Sequence, residues 1–441
     1  MKFQYIVLAF FGFMAVVAVF IFAKAPAPGN TPQQIAGASG TVTIWGTYPL
    51  VGGLDKVIGD FDQVYQKSFQ VNYQYHDPKD FDRDIVEGLA SGKGPDILLL
   101  PNNLILRHGD KIEQIPYTAY PQVNYDATFV QAAEIYKRDQ GLVALPFALD
   151  PLVMYWNRDL FTNESIAEPP KYWDEFLTMT PKLTKINPRT SEITQSTISF
   201  GEFVNVNNAK DILAMLFLQV GNPIVKFDKG LFTSALVEKT GDRTSTNEDI
   251  VSAFRFFMDF SNPQKSIYSW SRARGSSQDE FINGNLAVYF GHASEYKTLA
   301  AKNPHLNFAV APVPQPRNTK VEVTYADVYG LAVMKSSKNK QTAFVAVQRL
   351  LDTQPTAQFA QTFNLPPVRR DLLVQRPTDT ALSVFYDAAL RARTWLDPRP
   401  EDSDKAFQST VESVSSGRNT IAAAIESLHI QLLSALAPYR Q

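Results

Sequence analysis

From Thr41 to Leu100 the apolar positions alternate between two rhythms. Val42-Thr43-Ile44-Trp45 reads as a short strand. From Leu54, the residues Leu54, Val57, Ile58, Phe61 and Tyr65 fall at helical spacing. Phe69, Val71, Tyr73 and Tyr75 then alternate with polar residues, as a half-buried strand does. Phe81, Ile85 and Leu89 recur every four residues, and Gly92 is placed to end that helix. Ile97 to Leu100 is apolar throughout, the pattern of a strand covered on both faces. The order β-α-β-α-β predicts an open, mostly parallel, right-handed sheet. In such sheets ligands sit beyond the carboxyl ends of the strands. Here those ends are Gly46-Thr47-Tyr48 and Pro101-Asn102-Asn103.

The alternation continues. Leu142 to Leu145 and Leu152 to Trp156 are apolar, with Pro146 and Pro151 between them. Trp173 to Leu177, Asp211 to Val220 and the stripe Ile250, Ala253, Phe254, Phe257 read as helices. A helix closes at Gly284, and Leu286 to Phe290 reads as a buried strand. Phe308 to Ala311 and Gly330 to Met334 are further strands, and Phe344, Val347 and Leu351 line a helix. The C-terminal third is mainly helical, ending with Ile421 to Leu436.

Ahead of this pattern, Ile6 to Ala23 holds no charge and lies between Lys2 and Lys24. As a helix it would span roughly 27 Å, close to the hydrocarbon thickness of a bilayer. Ala23-Lys24-Ala25 offers a signal-peptidase site, but Pro26 fits poorly after a cut. The balance favours a retained membrane anchor over residues 1–24, with a cleaved signal as the alternative. Residues 25–40, rich in Pro, Gly and Ala, form a linker.

Composition removes several chemistries. With 42 basic and 44 acidic residues the net charge is −2, so nothing points to nucleic acid. There is no Cys, which excludes disulfides, thiolate metal sites, Cys nucleophiles and a lipoprotein anchor. Five His without ligand spacing make a zinc site a poor reading. No G-x-S-x-G, H-E-x-x-H, P-loop or G-x-G-x-x-G occurs, and Asp82 and Asp84 point apart on a helix. Neither a cofactor nor an enzyme is expected.

Several ordered stretches resemble one family, the extracellular solute-binding proteins of ABC importers of the maltodextrin/sugar-binding type. They include VTIW at 42–45, GKGPDILLLP at 92–101, LPFALDPLVMYWNRDLF at 145–161 and PPKYWDEFL at 169–177. FINGNLAVYFGHASEY at 281–296, YGLAVMKSSKNKQTAFVAVQRLL at 329–351 and NLPPVRRDLL at 364–373 follow in order. The resemblance implies a two-lobed α/β fold, of the periplasmic-binding-protein type II, each lobe a mostly parallel sheet flanked by helices. It allots residues 41–148 plus 293–330 to one lobe and 149–292 plus 331–441 to the other. The LPFALDP segment would make the first crossing, stiffened by its prolines.

The candidate contacts follow from strand ends and from the resemblance. Thr47 and Tyr48 lie beyond the first strand, and a Tyr there either stacks on a ligand or packs a loop. Asn102 and Asn103 offer amide donors and acceptors, though Asn is also an ordinary turn residue. Asp150 and Tyr155 surround the crossing. Phe203, Asn205 and Asn208 occupy an Asn-rich loop that faces the ligand in similar proteins. Trp270 sits in a polar loop without apolar period and reads as a stacking platform. His292 and Ser294 mark a turn into a helix whose free N–H groups suit an oxygen-rich ligand. Asp327, through the resemblance, and Trp395, in the segment TWLDPRPEDS between helices and so bordering the cleft, complete the set. Trp45, Trp173 and Asp96 are expected instead to be structural. A sugar needs aromatic cover for its C–H faces and polar groups for its hydroxyl rim, both met in a cleft. The expected function is capture of a saccharide or similar polar solute and delivery to a membrane permease. A membrane-tethered sensor is the alternative.

Overall fold

The computed structural model describes residues 37–49, 53–228, 230–240 and 243–439. The anchor and nearly all of the linker expected at the N-terminus lie outside the described residues.

The first unit forms as its periodicity requires. Strand β1 (Gly40–Gly46), helix α1 (Asp55–Tyr65), strand β2 (Phe69–Tyr75), helix α2 (Phe81–Ala90) and strand β3 (Ile97–Pro101) follow in order. Helix α1 buries Val57, Ile58, Phe61 and Tyr65, and α2 buries Phe81, Ile85 and Gly88. Gly88 is needed for close packing: a Cβ there would lie 2.4 Å from the Trp45 ring. Trp45 is thus a core residue. Asp96 holds the strand ends by accepting from Thr43 N–H at 2.9 Å. β1 pairs in parallel with both β2 and β3.

Beyond β3 the sheet changes character. Strand β4 (Leu145–Asn157) is one continuous, wholly buried strand that runs through Pro146 and Pro151. Strands β5 (Ile193–Ile198), β6 (Leu286–His292), β7 (Phe308–Ala311) and β8 (Thr324–Val333) complete the frame. The order is β2-β1-β3-β8-β4-β6-β5, with Lys185–Ile186 at the edge and β7 also on β4. β8 joins both β3 and β4 antiparallel, and β4 pairs antiparallel with β6 and β7. The sheet is therefore mixed, not mostly parallel: β4 and β8, which cross its middle, run antiparallel to each other, β8 antiparallel to β3, and β4 antiparallel to β6.

The pairing also shows where the later strands sit on the sheet. Phe308–Ala311 pairs with Met154–Asn157, so it sits on the second half of β4, not with β1–β3. Tyr329–Val333 pairs with Ile97–Pro101, which puts residues 331–333 on the first half of the sheet. A register shift between Tyr329 and Gly330 marks where β8 passes from one half to the other. A Cβ on Gly330 would lie 2.8 Å from Ala144 Cβ and from the Tyr136 ring, so only Gly fits this passage.

Helix α3 (Ala209–Gln219), helix α4 (Glu248–Asp259), helix α5 (Lys340–Leu350) and helix α6 (Thr353–Phe363) cover the two halves. Helices α7 (Thr380–Arg391), α8 (Pro400–Ser415) and α9 (Ile421–Leu436) follow. Two β-hairpins, Val225–Asp228 with Leu231–Ser234 and Val237–Thr240 with Arg243–Thr246, were not foreseen from the sequence. Among the described residues, Ile421–Tyr439 alone has the length and apolarity to cross a membrane. Within it, Ala424, Ile425, Leu428, Leu432 and Leu436 are buried, and α9 packs on α4 and α8.

Candidate ligand-binding cleft

The two crossing strands meet at Asp150 of β4 and Asp327 of β8, which are paired in register. Around this point lies a cavity of about 670 Å³. Its wall is assembled from separate parts of the chain. Asn103 follows β3, and Tyr325 and Asp327 come from β8. Phe203, Val204, Asn207 and Asn208 come from the loop before α3. Lys210 and Asp211 occupy the first turn of α3, Asp397 lies just before α8, and Asp404 and Gln408 lie within it.

Asn208 caps α3 in the left-handed region, φ 58°, which Asn tolerates better than most residues. Its Nδ2 donates to Glu295 Oε1 at 2.8 Å, fixing the loop to the turn after β6. That geometry presents Lys210 and Asp211 to the cavity. Lys210 Nζ donates to Asp397 Oδ2 at 3.0 Å and pairs with Asp404 at 2.6 Å. Burial alone would lower the Lys210 pKa, but Asp397, Asp404 and Asp211 outweigh it and raise it. Burial raises the Asp397 carboxyl, opposed by Lys210.

His292, at the end of β6, holds the acidic groups together. Its Nδ1 donates to the Asp150 backbone oxygen at 3.0 Å and its Nε2 to Asp211 Oδ2 at 3.2 Å. Both partners are acceptors, so both ring nitrogens carry hydrogen and the ring is an imidazolium. Burial opposes that charge. The Asp211 hydrogen bond and the charges of Asp327, Asp150 and Asp211 overcome it and push the pKa well above the usual value. Asp150 Oδ1 accepts from Ser294 N–H at 3.0 Å, and burial raises this carboxyl too. Asp327 Oδ1 accepts from Tyr325 Oη at 2.8 Å. Burial, then Asp211 and Asp150, push Asp327 up to about 6 against the pull of His292. Among the described residues, Asp327 Oδ2, Asp211 Oδ1 and the Asn103 amide have no hydrogen-bond partner. These are open acceptors and donors on the wall of a polar cavity.

Of the sequence candidates, Asn103, Phe203, Asn208 and Asp327 line the cavity, and Asp150 and His292 stand directly behind it. Thr47 and Tyr48 are half-buried at the end of β1. The Tyr48 ring meets Tyr329, Phe359 and Phe363 edge-on at 5.1–5.2 Å. Burial, then Tyr329, Asp150 and Asp327, raises its phenol pKa. Ser294 is exposed, and its N–H serves Asp150.

Five expectations are corrected. Tyr155 is fully buried, and its hydroxyl donates to His292 O at 2.7 Å, so it braces the site from the core. Trp270 is 0% exposed, with Nε1 donating to Asn205 Oδ1 at 3.1 Å, so it is no stacking platform. Asn205 is spent on that loop: its Nδ2 donates to Ser271 O at 2.9 Å and Arg274 O at 3.1 Å. Trp395 is 2% exposed and packs near Phe407. Asn102 is buried and spans three segments. Its Nδ2 donates to Thr394 Oγ1 at 2.8 Å, and its Oδ1 accepts from Val328 N–H at 3.1 Å. Trp173 is a core residue as expected, its Nε1 donating to Gln219 Oε1 at 2.7 Å.

Sequence reasoning missed Lys210, Asp211, Asp397 and Asp404. Lys210 and Asp211 follow the Asn-rich loop and look like an ordinary charged helix start. Asp404 lies in an acidic run that reads as a solvated face. Only the fold brings these residues together.

A family model described as Bacterial extracellular solute-binding protein matches residues 56–380. A putative binding protein of Brucella abortus (strain 2308) is 23% identical over 235 residues, which is 53% of this chain and 52% of that protein. The chain thus matches about half the length of its curated relatives. The cyclic alpha-maltosyl-1,6-maltose binding protein from Arthrobacter globiformis superposes with TM-score 0.73 at 14% identity, over 90% of this chain and 99% of that one. The sugar-binding protein MalE of Xanthomonas citri superposes with TM-score 0.70 at 20% identity, over 90% and 98%. A cyclo/maltodextrin-binding protein complexed with maltotetraose gives TM-score 0.71 at 16% identity, over 95% and 100%. At these identities the likeness is one of fold. Because the family model covers well over half of its length, the chain belongs to the bacterial extracellular solute-binding protein family.

Proposed function

We propose that this protein is the extracytoplasmic solute-binding component of an ABC importer. It captures a saccharide or similar polar solute in the cleft and passes it to a membrane permease. The observation that carries this reading is the 670 Å³ cavity, walled by polar groups from both halves of the sheet at the point where β4 and β8 cross. Such a site grips a hydroxyl-rich ligand through a few placed polar groups.

Two lobes hinged at β4 and β8 would close when one ligand touches both, by shifting an open–closed equilibrium. Asn103 and Asp327 would contact the ligand from the crossing side, and Asp211, Asn208 and Phe203 from the α3 side. Structural neighbours that bind maltotetraose or cycloalternan support a carbohydrate ligand. Residues 6–23 would tether the protein to the membrane beside its permease. No described element favours the sensor reading.

A thermal-shift screen against mono- and oligosaccharides tests the proposal. A ligand at a hundred times its dissociation constant adds about 2.7 kcal/mol. Failure of every saccharide, with a shift from oligopeptides instead, would overturn the carbohydrate assignment.

A further inference from the structure

A second cavity, of about 800 Å³, shares no lining residue with the cleft. One wall comes from the turn after β3, from Arg138 and from Lys335 just past β8. Phe232 of the first hairpin and Tyr439 beyond α9 face them.

The charge on this wall is unbalanced. Arg107, Lys111, Arg138 and Lys335 line it against one acid, Asp110. Arg107 is paired with Asp82 at 2.6 Å and Lys111 with Asp110 at 2.8 Å. Arg138 and Lys335 pair with no carboxylate among the described residues. Lys335 Nζ donates only to the Asp110 backbone oxygen, at 2.8 Å. Arg138 Nη1 donates to Ile135 O at 3.0 Å and to Lys137 O at 2.6 Å, which leaves Nε and Nη2 without partners. The guanidinium carbon lies 5.7 Å from the Phe232 ring. That partial burial draws the Arg138 pKa down to about 10. Under the same wall, His108 is fully buried, with Nε2 on Asp82 at 2.7 Å and Nδ1 unpartnered.

A guanidinium withdrawn from water without a counter-charge is costly, and an anion in the cavity offsets that cost. The two idle donors of Arg138 form the fork that grips two oxygens of one group. We propose that this cavity binds a small oxyanion of the phosphate class, held by Arg138 through Nε and Nη2 and by Lys335.

The test is calorimetric titration of the full chain with inorganic phosphate at fixed ionic strength. The expected result is saturable one-to-one binding, weakened about ten-fold or more in Arg138→Gln and several-fold in Lys335→Met. No saturable binding at millimolar phosphate overturns the proposal. So does unchanged affinity in both basic variants. If Arg138→Gln does not fold, Lys335→Met decides alone: exposed at the rim, it removes one charge without touching the core.

Discussion

Asp150 and Asp327 stand directly opposite each other in the antiparallel pairing of β4 and β8. Like charges facing across a strand pair are destabilising, and both carboxyls are held above their usual pKa by burial. The fold tolerates them because His292 bonds to the Asp150 backbone on one side and to Asp211 on the other. Stability is thus given up at the crossing to keep the Asp327 carboxylate facing the cleft, as functional sites commonly do.

Asp327→Asn removes one of the opposed charges while keeping the shape. Burial and neighbouring acids raise this carboxyl from 3.8 to about 6, so its ionisation costs the folded state on the order of 1–3 kcal/mol at neutral pH. The variant should be more stable than the parent to urea by that order and should bind solute less tightly. A variant of lower stability would mean that Asp327 is held by attraction, contrary to the pairing seen here.

The pH dependence has a definite sign. Asp327, raised, subtracts stability above about pH 6 and stops doing so as pH falls through 6 towards its unfolded value. His292 is raised well above its reference value of 6.5. Its contribution is complete below 6.5 and is lost as pH rises through the folded pKa. Both effects make the ligand-free protein more stable at about pH 5.5 than at about pH 8. Thermal unfolding midpoints at the two pH values measure this, and a higher midpoint at pH 8 would contradict it.

His292→Asn leaves Asp150, Asp211 and Asp327 without their shared cation. Breaking one side of a buried ionic cluster costs about 3–5 kcal/mol. The loss should shrink sharply in the double variant His292→Asn/Asp327→Asn, because one of the stranded charges has gone. Equal losses in the single and double variants would show that the imidazolium does not serve these acids.

Trp270→Ala separates a core role from a stacking role. A buried Trp lost from the core costs about 3–5 kcal/mol, here with its hydrogen bond to Asn205. The folded variant should keep its solute affinity. Lost affinity with unchanged stability would restore the stacking reading.

How far the sequence could be read follows from the kind of force involved. The first five elements were legible because each is amphipathic with a clean period, from Val42 to Leu100. Asn103 was legible because it follows the carboxyl end of β3, where β-α-β geometry puts ligands, whereas Asp327 was reached through the resemblance. Trp270 was misread because its loop has no apolar period; the side chain turns inward and Asn205 satisfies its N–H. The extended crossing through Pro146 and Pro151 was legible, but its pairing was not: proline lacks a ladder donor, and the register shift opposite Pro146, between Tyr329 and Gly330, depends on pairing with β8. Lys210, Asp211 and Asp404 were invisible because their meeting depends on α3 and α8 converging, which no local pattern encodes.

The central claim is that a polar solute is gripped at the seam by Asp211 and Asp327 together. Isothermal titration of the best saccharide into the parent, Asp211→Asn, Asp327→Asn and the double variant tests it most directly. Each single change should weaken binding by about 1–3 kcal/mol, and the coupling between them should be non-additive, as for groups holding one ligand. Undiminished affinity in all three variants would place the solute elsewhere and refute the account.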